Sequence, residues 1–268
     1  MQKENKDFMN LGLKALQKAE KVILKYYNQN IDVQWKADAT PVTIADQKAE
    51  EVVREFLAKE TPECGFIGEE FGTSDSELEL KWILDPIDGT KSFIRSVPLF
   101  GSMLALWRGN EALVGIINLP AQQSAVYAAK GCGAFLDGNK TQVSKIDDLS
   151  KATILSGTIN TVEDYGYGES FTHLRRQAEL YRGWGDCYGY YMVISGRAEI
   201  MFDPIVSIWD IAPLPILLIE AGGSFTELNG KVELFDQQGA PRSRADTYSG
   251  LASNGILHPT ALKLLNKT

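Results

Sequence analysis

The sequence Trp82-Ile83-Leu84-Asp85-Pro86-Ile87-Asp88-Gly89-Thr90 joins a short apolar run to two acidic residues and a turn. An apolar run that stops at Asp-Pro is typical of the end of a buried strand. Pro86 fixes its own φ, and Gly89 permits a positive φ or a close backbone approach. The stretch therefore predicts a strand whose end turns sharply.

The polar groups of this turn can face one point. Asp85 and Asp88 supply carboxylates, and Ile87 supplies a backbone carbonyl between them. Thr90 can begin a helix, and the free N–H groups at a helix start bind phosphate. Asp-Pro and Asp-Gly are also common turn pairs, so a purely structural turn is the alternative interpretation.

Helices and strands alternate on both sides of this stretch, which predicts an α/β or mixed α+β layered fold. Periodicity favours helices over residues 5–28, 42–60, 168–181, 186–196 and 208–221. Apolar runs bounded by turn residues favour strands over residues 101–107, 111–118, 125–129, 152–156 and 198–202.

Composition excludes several classes of protein. The 268 residues fit one large domain or two closely joined halves. A net charge of -8 and the lack of a basic stripe argue against nucleic-acid binding. We find no apolar run of about 18 residues and no secretory signal, so a membrane role is not expected. Three widely spaced cysteines fit a reducing cytoplasm.

Three acidic clusters each lie at the edge of an apolar element. They are Glu69 and Glu70 after Phe66-Ile67, the pair Asp85 and Asp88, and Asp210 after Ile208-Trp209. A charge at the rim of a core is unfavourable unless it is paired or binds a metal. Mg²⁺ prefers such oxygen ligands. Because an acidic protein repels anions at long range, a phosphate ester here would need bound cations.

Each cluster also has a structural interpretation. Glu69 and Glu70 alone are typical of a solvated face. Asp210 alone is typical of a helix N-cap, and Asp46 alone of an exposed helix position.

Four motifs in this order resemble the inositol monophosphatase family, and the resemblance covers nearly the whole chain. They are Gly68-Glu69-Glu70, Trp82 to Thr90, Trp209-Asp210-Ile211-Ala212 and Glu220-Ala221-Gly222-Gly223. The resemblance implies an αβαβα sandwich, two to three Mg²⁺ ions per active site, sensitivity to Li⁺ and a homodimer. It also implies a single phosphatase domain over 1–268, with a metal- and phosphate-binding half at 1–145 and a substrate half at 146–268.

The resemblance also assigns metal ligands, residue by residue. Glu69, Asp85 and the Ile87 carbonyl would hold the first ion. Asp85, Asp88 and Asp210 would hold the second, and Glu69 would share a third, weaker ion.

The remaining roles concern water and phosphate. Thr90 and Asp46, the latter in Thr43-Ile44-Ala45-Asp46, resemble the pair that activates the attacking water, with Glu69 as a further catalytic residue. The N–H groups of Gly89 and Thr90 would bind phosphate. The implied reaction is hydrolysis of a small phosphate monoester by metal-activated water.

Two segments resemble the histidinol-phosphatase branch of the family, namely Lys91 to Gly101 and Gly185-Asp186-Cys187-Tyr188-Gly189-Tyr190. Inositol phosphatases carry small neutral residues around the position of Asp186, and Asp203 matches their substrate-binding Glu. Both carboxylates could pair with the ammonium and imidazole of L-histidinol phosphate. For Asp186 the alternative is a helix cap. For the whole protein the alternatives are an inositol-1-monophosphatase or broad small-molecule phosphatase, and a non-catalytic regulator of the same fold.

Overall fold

The structure is a computed structural model, and it describes residues 2–29, 33–35, 41–75, 77–236, 240–242 and 247–266. The α-helices are α1 (Gln2–Tyr26), α2 (Ile44–Glu60), α3 (Thr90–Phe93), α4 (Ile159–Asp164), α5 (Gly168–Arg176), α6 (Asp186–Ile194), α7 (Ile208–Ile211), α8 (Leu214–Ala221) and α9 (His258–Leu265). The strands are β1 (Val33–Trp35), β2 (Pro41–Thr43), β3 (Cys64–Gly68), β4 (Gly72–Ser74), β5 (Leu80–Asp88), β6 (Gly101–Arg108), β7 (Glu111–Leu119), β8 (Ser124–Ala129), β9 (Gly133–Leu136), β10 (Asn139–Lys140), β11 (Thr153–Ser156), β12 (Leu180–Arg182), β13 (Ile200–Val206), β14 (Ser224–Thr226) and β15 (Tyr248–Ser253).

Two mixed sheets organise the fold. The eight-stranded sheet has the order β10-β9-β8-β7-β6-β5-β3-β4, and the five-stranded sheet has the order β12-β11-β13-β15-β14. Strands β1 and β2 form a separate antiparallel pair. Because both large sheets are apolar on two faces, each needs helices on both sides.

The helices form three layers around the two sheets. Helices α1 and α2 share one core with the outer face of the eight-stranded sheet. Helices α6, α7 and α8 fill the core between the sheets, and α4, α5 and α9 cover the outer face of the five-stranded sheet. The resulting order of layers confirms the predicted αβαβα sandwich. Within the described residues, the helices are too short or too polar to cross a membrane.

Strand β5 carries a bulge at the point where the sequence predicts a turn. Regular pairing with β6 holds up to Asp85 opposite Met103 and resumes at Asp88 opposite Gly101. Between these two pairs β5 advances by three residues and β6 by two, so β5 contains one extra residue around Pro86. Proline suits this position because it cannot donate a ladder hydrogen bond. Helix α3 begins at Thr90, as predicted.

Two predicted helices differ from the structure. The helix predicted over 168–181 is wrong at its end, because α5 stops at Arg176 and Leu180 begins β12, which pairs in parallel with β11. The helix predicted over 208–221 is wrong in its middle, since it is divided into α7 and α8 at Pro213. Proline cannot donate the hydrogen bond that would continue the helix. Helix α8 ends at Ala221 and is capped by Gly222, which has a φ of 84°.

Candidate active site

Three carboxylates meet between the two sheets. Oxygen atoms of Asp85, Asp88 and Asp210 all lie within 4.8 Å of one another. The first two come from the bulged end of β5, and the third comes from α7. The structure thus brings together residues that are far apart in the sequence and that the sequence predicts as metal ligands.

Local hydrogen bonds fix the shape of the β5 bulge. The N–H of Ile87 donates to Oδ1 of Asp85 at 2.9 Å, and the hydroxyl of Ser102 on β6 donates to the Pro86 carbonyl at 2.7 Å. Both contacts are buried. Because these partners leave the bulge little freedom, the position of Asp85 is set by the backbone around it.

Asp210 and Asp46 each belong to a capping box. Oδ2 of Asp210 accepts the N–H of Ser207 at 2.8 Å, at the start of α7. Oδ2 of Asp46 accepts the N–H of Thr43 at 2.8 Å and its hydroxyl at 2.6 Å, at the start of α2. The capping role considered for Asp210 is therefore present, and in both helices it orients the carboxylate. Asp46 is buried rather than exposed.

Glu69 lies close enough to this cluster to affect its ionisation. Its N–H donates to the carbonyl of Leu84 at 3.3 Å, which ties the loop after β3 to the residue preceding Asp85. Its negative charge raises the pKa of Asp46, Asp85 and Asp210.

The cluster concentrates negative charge where solvent access is limited: Asp85 is buried, and Asp88 and Asp210 are half-buried. Burial raises the pKa of Asp85 and Asp88 well above their ordinary values, and neighbouring carboxylates raise them further. Burial also raises the pKa of Asp210 to about 7 and that of Asp46 to about 6. Buried like charges of this kind are stabilised by a cation. A set of hard oxygen donors fits Mg²⁺, so the residues present suit the ion that the sequence predicts.

The turn that is predicted to bind phosphate comes directly after β5 and leads into α3. Gly89 is the N-cap residue of α3, with a φ of 83°. A Cβ at this position would lie 2.9 Å from the carbonyl oxygen of Leu99, so only glycine fits. The hydroxyl of Thr90 donates to the carbonyl of Ile87 at 3.0 Å, which connects the predicted water-activating residue to the predicted carbonyl ligand.

A cleft of about 240 Å³ opens from the carboxylate cluster between the two sheets. The residues that line it are Asp88, Lys91, Gly157, Thr158, Thr161, Asp186, Tyr190, Asp203, Pro204, Ile205, Val206 and Asp210. Both predicted substrate-binding residues, Asp186 and Asp203, therefore lie in the same cleft as two of the predicted metal ligands.

Asp203 has partners on both oxygens. Oδ2 accepts the hydroxyl of Tyr190 at 2.9 Å, and Oδ1 accepts the N–H of Gly157 at 3.3 Å. Burial raises the pKa of Asp203 to about 8, although both hydrogen bonds act in the opposite direction. A cation in the cleft would stabilise its charged form.

Asp186 adopts an unusual backbone conformation at the start of α6. Its φ is 55°, and Gly185, not Asp186, is the N-cap residue. The alternative interpretation of Asp186 as a helix cap is therefore wrong. A left-handed conformation is unfavourable for most non-glycine residues and often marks a functional position. Desolvation raises the pKa of Asp186, and the charge of Lys91 opposes this rise.

The structure adds contacts that the sequence does not predict. The N–H of Cys187 donates to Oδ2 of Asp88, so the start of α6 anchors a cluster carboxylate. Tyr190 and Lys91 line the cleft, and both lie in segments quoted for the histidinol-phosphatase resemblance. Their roles depend on contacts across the cleft, and the sequence carries no separate signal for those contacts.

The chain is similar to known phosphatases over almost its whole length. The model of the inositol monophosphatase family matches residues 4–268. A histidinol-phosphatase from Chlorobaculum parvum is 40% identical over 232 residues, which cover 86% of this chain and 90% of that protein. A histidinol-phosphatase from Mycobacterium tuberculosis is 35% identical over 266 residues, covering 97% and 98%. The crystal structure of the extragenic suppressor protein suhB from Bartonella henselae has a TM-score of 0.87 at 25% identity, covering 97% and 99%.

Proposed function

The chain belongs to the inositol monophosphatase family, and from this we propose that it is a Mg²⁺-dependent histidinol-phosphatase. It would hydrolyse L-histidinol phosphate to L-histidinol and phosphate. One observation carries the proposal: a single cleft is lined by two members of the carboxylate cluster, Asp88 and Asp210, and by two further acidic residues, Asp186 and Asp203. The similarity to two histidinol-phosphatases supports the choice of substrate.

We propose that Glu69, Asp85, the carbonyl of Ile87, Asp88 and Asp210 hold the metal, as two to three Mg²⁺ ions. When bound there, Mg²⁺ would neutralise charge on the phosphate and lower the pKa of a coordinated water. The family depends on Mg²⁺, and the raised pKa values of Asp85 and Asp88 fit a site that needs a cation.

The residues of the chain would position the reacting groups. Thr90 and Asp46 would orient the attacking water, and the capping box around Asp46 limits the movement of that carboxylate. The N–H groups of Gly89 and Thr90 would bind the phosphate at the start of α3. Phosphoryl transfer has a loose transition state, so positioning and charge stabilisation supply most of the catalysis.

Asp186 and Asp203 would recognise the other end of the substrate. L-Histidinol phosphate carries an ammonium group and an imidazole that can be protonated, and both can form charge-assisted hydrogen bonds with carboxylates. An inositol ring offers only neutral hydroxyls. Lys91 lines the same cleft, and its charge opposes the rise in the pKa of Asp186.

The test of substrate choice compares kcat/KM for L-histidinol phosphate and inositol 1-phosphate in the presence of Mg²⁺. We expect a preference of at least about tenfold for L-histidinol phosphate, since a hydrogen bond to a charged group contributes roughly 1.5–3 kcal/mol. A preference for inositol 1-phosphate would establish the second candidate, an inositol-1-monophosphatase. No Mg²⁺-stimulated activity across a panel of monoesters would favour the non-catalytic regulator.

The test of the metal site is Asp88→Asn. We expect turnover to fall by about a thousandfold or more, because one ligand of the cluster loses its charge. Asp7→Asn, on the exposed face of α1, is the matched control and should keep full activity. Circular dichroism should show both variants folded, and near-normal activity of Asp88→Asn would refute the metal assignment.

We also propose that residues 1–268 act as one phosphatase domain of two closely packed halves, that the protein is a cytoplasmic homodimer, and that Li⁺ inhibits it. Sedimentation equilibrium measures the oligomeric state, and a single monomer mass would exclude the dimer.

A further inference from the structure

Glu50 is a carboxylate in the core between α2 and the eight-stranded sheet, and its solvent exposure is 0%. It lies one helical turn after Asp46, so both side chains leave the same side of α2. A charged group that is fully buried is strongly unfavourable unless it has well-placed partners. The partners of Glu50 therefore indicate why it is there.

Those partners are the backbone of the loop after β3. Oε2 of Glu50 accepts the N–H of Glu70 at 2.8 Å, and Oε1 accepts the N–H of Phe71 at 3.1 Å. The loop residues directly after Glu69 are thus bound to α2. Charge-assisted hydrogen bonds of this type are stronger than neutral ones.

Arg54 completes the arrangement from the next turn of α2. Its guanidinium donates to Oε1 of Glu50 at 2.9 Å and to the Gly72 carbonyl at 2.6 Å. The same group lies 4.3 Å from the centroid of the Phe66 ring on β3. Arg54 therefore neutralises Glu50 and contacts the chain on both sides of the loop.

Gly68 leaves room for this carboxylate. A Cβ on Gly68 would overlap Glu50, lying 2.7 Å from Oε2 and closer still to Oε1. Since Gly68 does not have a positive φ, glycine is needed here for space and not for conformation. The glycine before Glu69 and the buried acid on α2 are complementary in shape.

Glu69 is consequently held from two directions. On one side its N–H is bonded to Leu84, which precedes Asp85. On the other side the loop is bonded to Glu50, one turn from Asp46. We propose that Glu50 is a positioning residue that sets Glu69 against Asp85 and Asp46, so that Mg²⁺ meets a preformed ligand. This inference rests on the proposed role of Glu69 as a metal ligand.

The experiment measures Mg²⁺ affinity in the absence of substrate. The protein is treated with EDTA and dialysed, and Mg²⁺ is then added in isothermal titration calorimetry. Glu50→Gln should weaken binding about 10- to 100-fold, the range found for residues that support metal ligands. The control is Glu51→Gln, the neighbouring residue, which is exposed and pairs with Lys48 at 2.8 Å. The control should bind Mg²⁺ with wild-type affinity.

A purely structural role predicts a different result. Glu50→Gln would then lower the melting temperature in EDTA and leave Mg²⁺ affinity unchanged, and this outcome overturns the proposal. If Glu50→Gln does not fold, Arg54→Lys provides the test, because lysine keeps the charge and loses the planar fork. It should weaken Mg²⁺ binding about threefold or more. Wild-type affinity in Arg54→Lys would likewise overturn the proposal.

Glu69→Gln, titrated in the same way, separates this inference from the proposed function. Weaker binding in both Glu69→Gln and Glu50→Gln supports the ligand and its positioning residue together. Weaker binding in Glu69→Gln alone overturns only the role of Glu50. Wild-type affinity in Glu69→Gln would show that Glu69 is not a metal ligand, so the role of Glu50 would fail with it, while the proposed phosphatase activity would still be judged by the Asp88→Asn and substrate assays.

Discussion

Asp203, the proposed binding residue for the cationic end of the substrate, is held by two hydrogen bonds. Tyr190 and the N–H of Gly157 hold its two oxygens, and Tyr190 is almost fully buried. The tyrosine also requires Gly250 on β15, because a Cβ there would overlap its hydroxyl. The carboxylate therefore has one preferred orientation before substrate arrives, and such preorganisation favours binding.

Tyr190→Phe tests this arrangement with minimal change in shape. We expect KM for L-histidinol phosphate to rise about tenfold with kcat nearly unchanged, because one hydrogen bond to a charged group is lost. Tyr188→Phe, two residues earlier on α6 and outside the cleft lining, is the control and should match wild type. An equal rise in KM for a monoester whose organic part carries no cation, such as phenyl phosphate, would contradict a role in recognising the cation.

The sequence predicts some residues of the site better than others. Asp85, Asp88 and Asp210 each follow an apolar run, so the sequence indicates their place at the ends of core elements, and the structure brings them together. The contact between Tyr190 and Asp203 joins α6 to β13, and no local pattern reports such a contact. The positive φ of Asp186 is also invisible in the sequence, because Asp is common in ordinary conformations.

At the scale of elements, the junction of α7 and α8 fixes the third cluster carboxylate. The carbonyl of Ala212, at the C-terminal end of α7, accepts the indole N–H of Trp107 at 2.9 Å. The junction also packs closely against β7. A Cβ on Gly115 would clash with the Pro213 carbonyl and lie 2.8 Å from Cγ2 of Ile216. Packing against the sheet therefore determines where α7 presents Asp210.

Gly115→Ala should disturb this junction. Overpacking of a core typically destabilises a protein by about 1–3 kcal/mol, which corresponds to roughly 2–10 °C in melting temperature for a chain of this size. We expect kcat/KM to fall as well, up to about a hundredfold, since small displacements of catalytic groups have large effects. Gly183→Ala is the control, because a Cβ added there would lie 4.0 Å from its nearest atoms. Unchanged stability and activity in Gly115→Ala would show that the junction tolerates movement.

The elements that the sequence predicts best are those with strong local signals. Helix α2 has a capping threonine and a regular apolar face, and the prediction of 42–60 lies close to the observed Ile44–Glu60. Strand β12 has three residues and is formed by pairing with β11, a contact that a local sequence pattern does not report. The predicted helix over 168–181 therefore wrongly includes it. Strand β15 is paired on both sides, yet Gly250 interrupts its apolar pattern and the sequence predicts no element there.

At the scale of the whole molecule, the layers place acidic side chains where water is scarce. The eight-stranded sheet supplies Asp85 and Asp88, the middle helices supply Asp210, and α2 supplies Asp46. The family resemblance predicts this layer order, whereas periodicity alone predicts only an alternation of helices and strands. With the proposed Mg²⁺ ligands placed in this way, metal binding and folding stability would be linked through the same carboxylates.

This linkage predicts a specific dependence of stability on pH. The folded-state pKa is raised to about 7 for Asp210, about 6 for Asp46 and about 8 for Asp203, from an ordinary value of 3.8. The metal-free folded protein thus binds more protons than the unfolded chain above about pH 4, and its stability falls as pH rises through these values. His258, with its pKa lowered to about 4 from 6.5 by burial, opposes this fall up to about pH 6.5, because the unfolded chain still binds a proton there, and the three carboxylates outweigh it.

We therefore expect the melting temperature in EDTA to fall steadily between about pH 5.5 and pH 8. Mg²⁺ binds the deprotonated carboxylates, so the stabilisation that it provides should grow over the same range. At a hundredfold excess over its Kd the ion contributes about 2.7 kcal/mol, enough to flatten or reverse the fall. Asp210→Asn should show a shallower slope in EDTA and little gain from Mg²⁺. A melting temperature in EDTA that is constant or rises with pH would contradict the link between buried carboxylates, metal and fold.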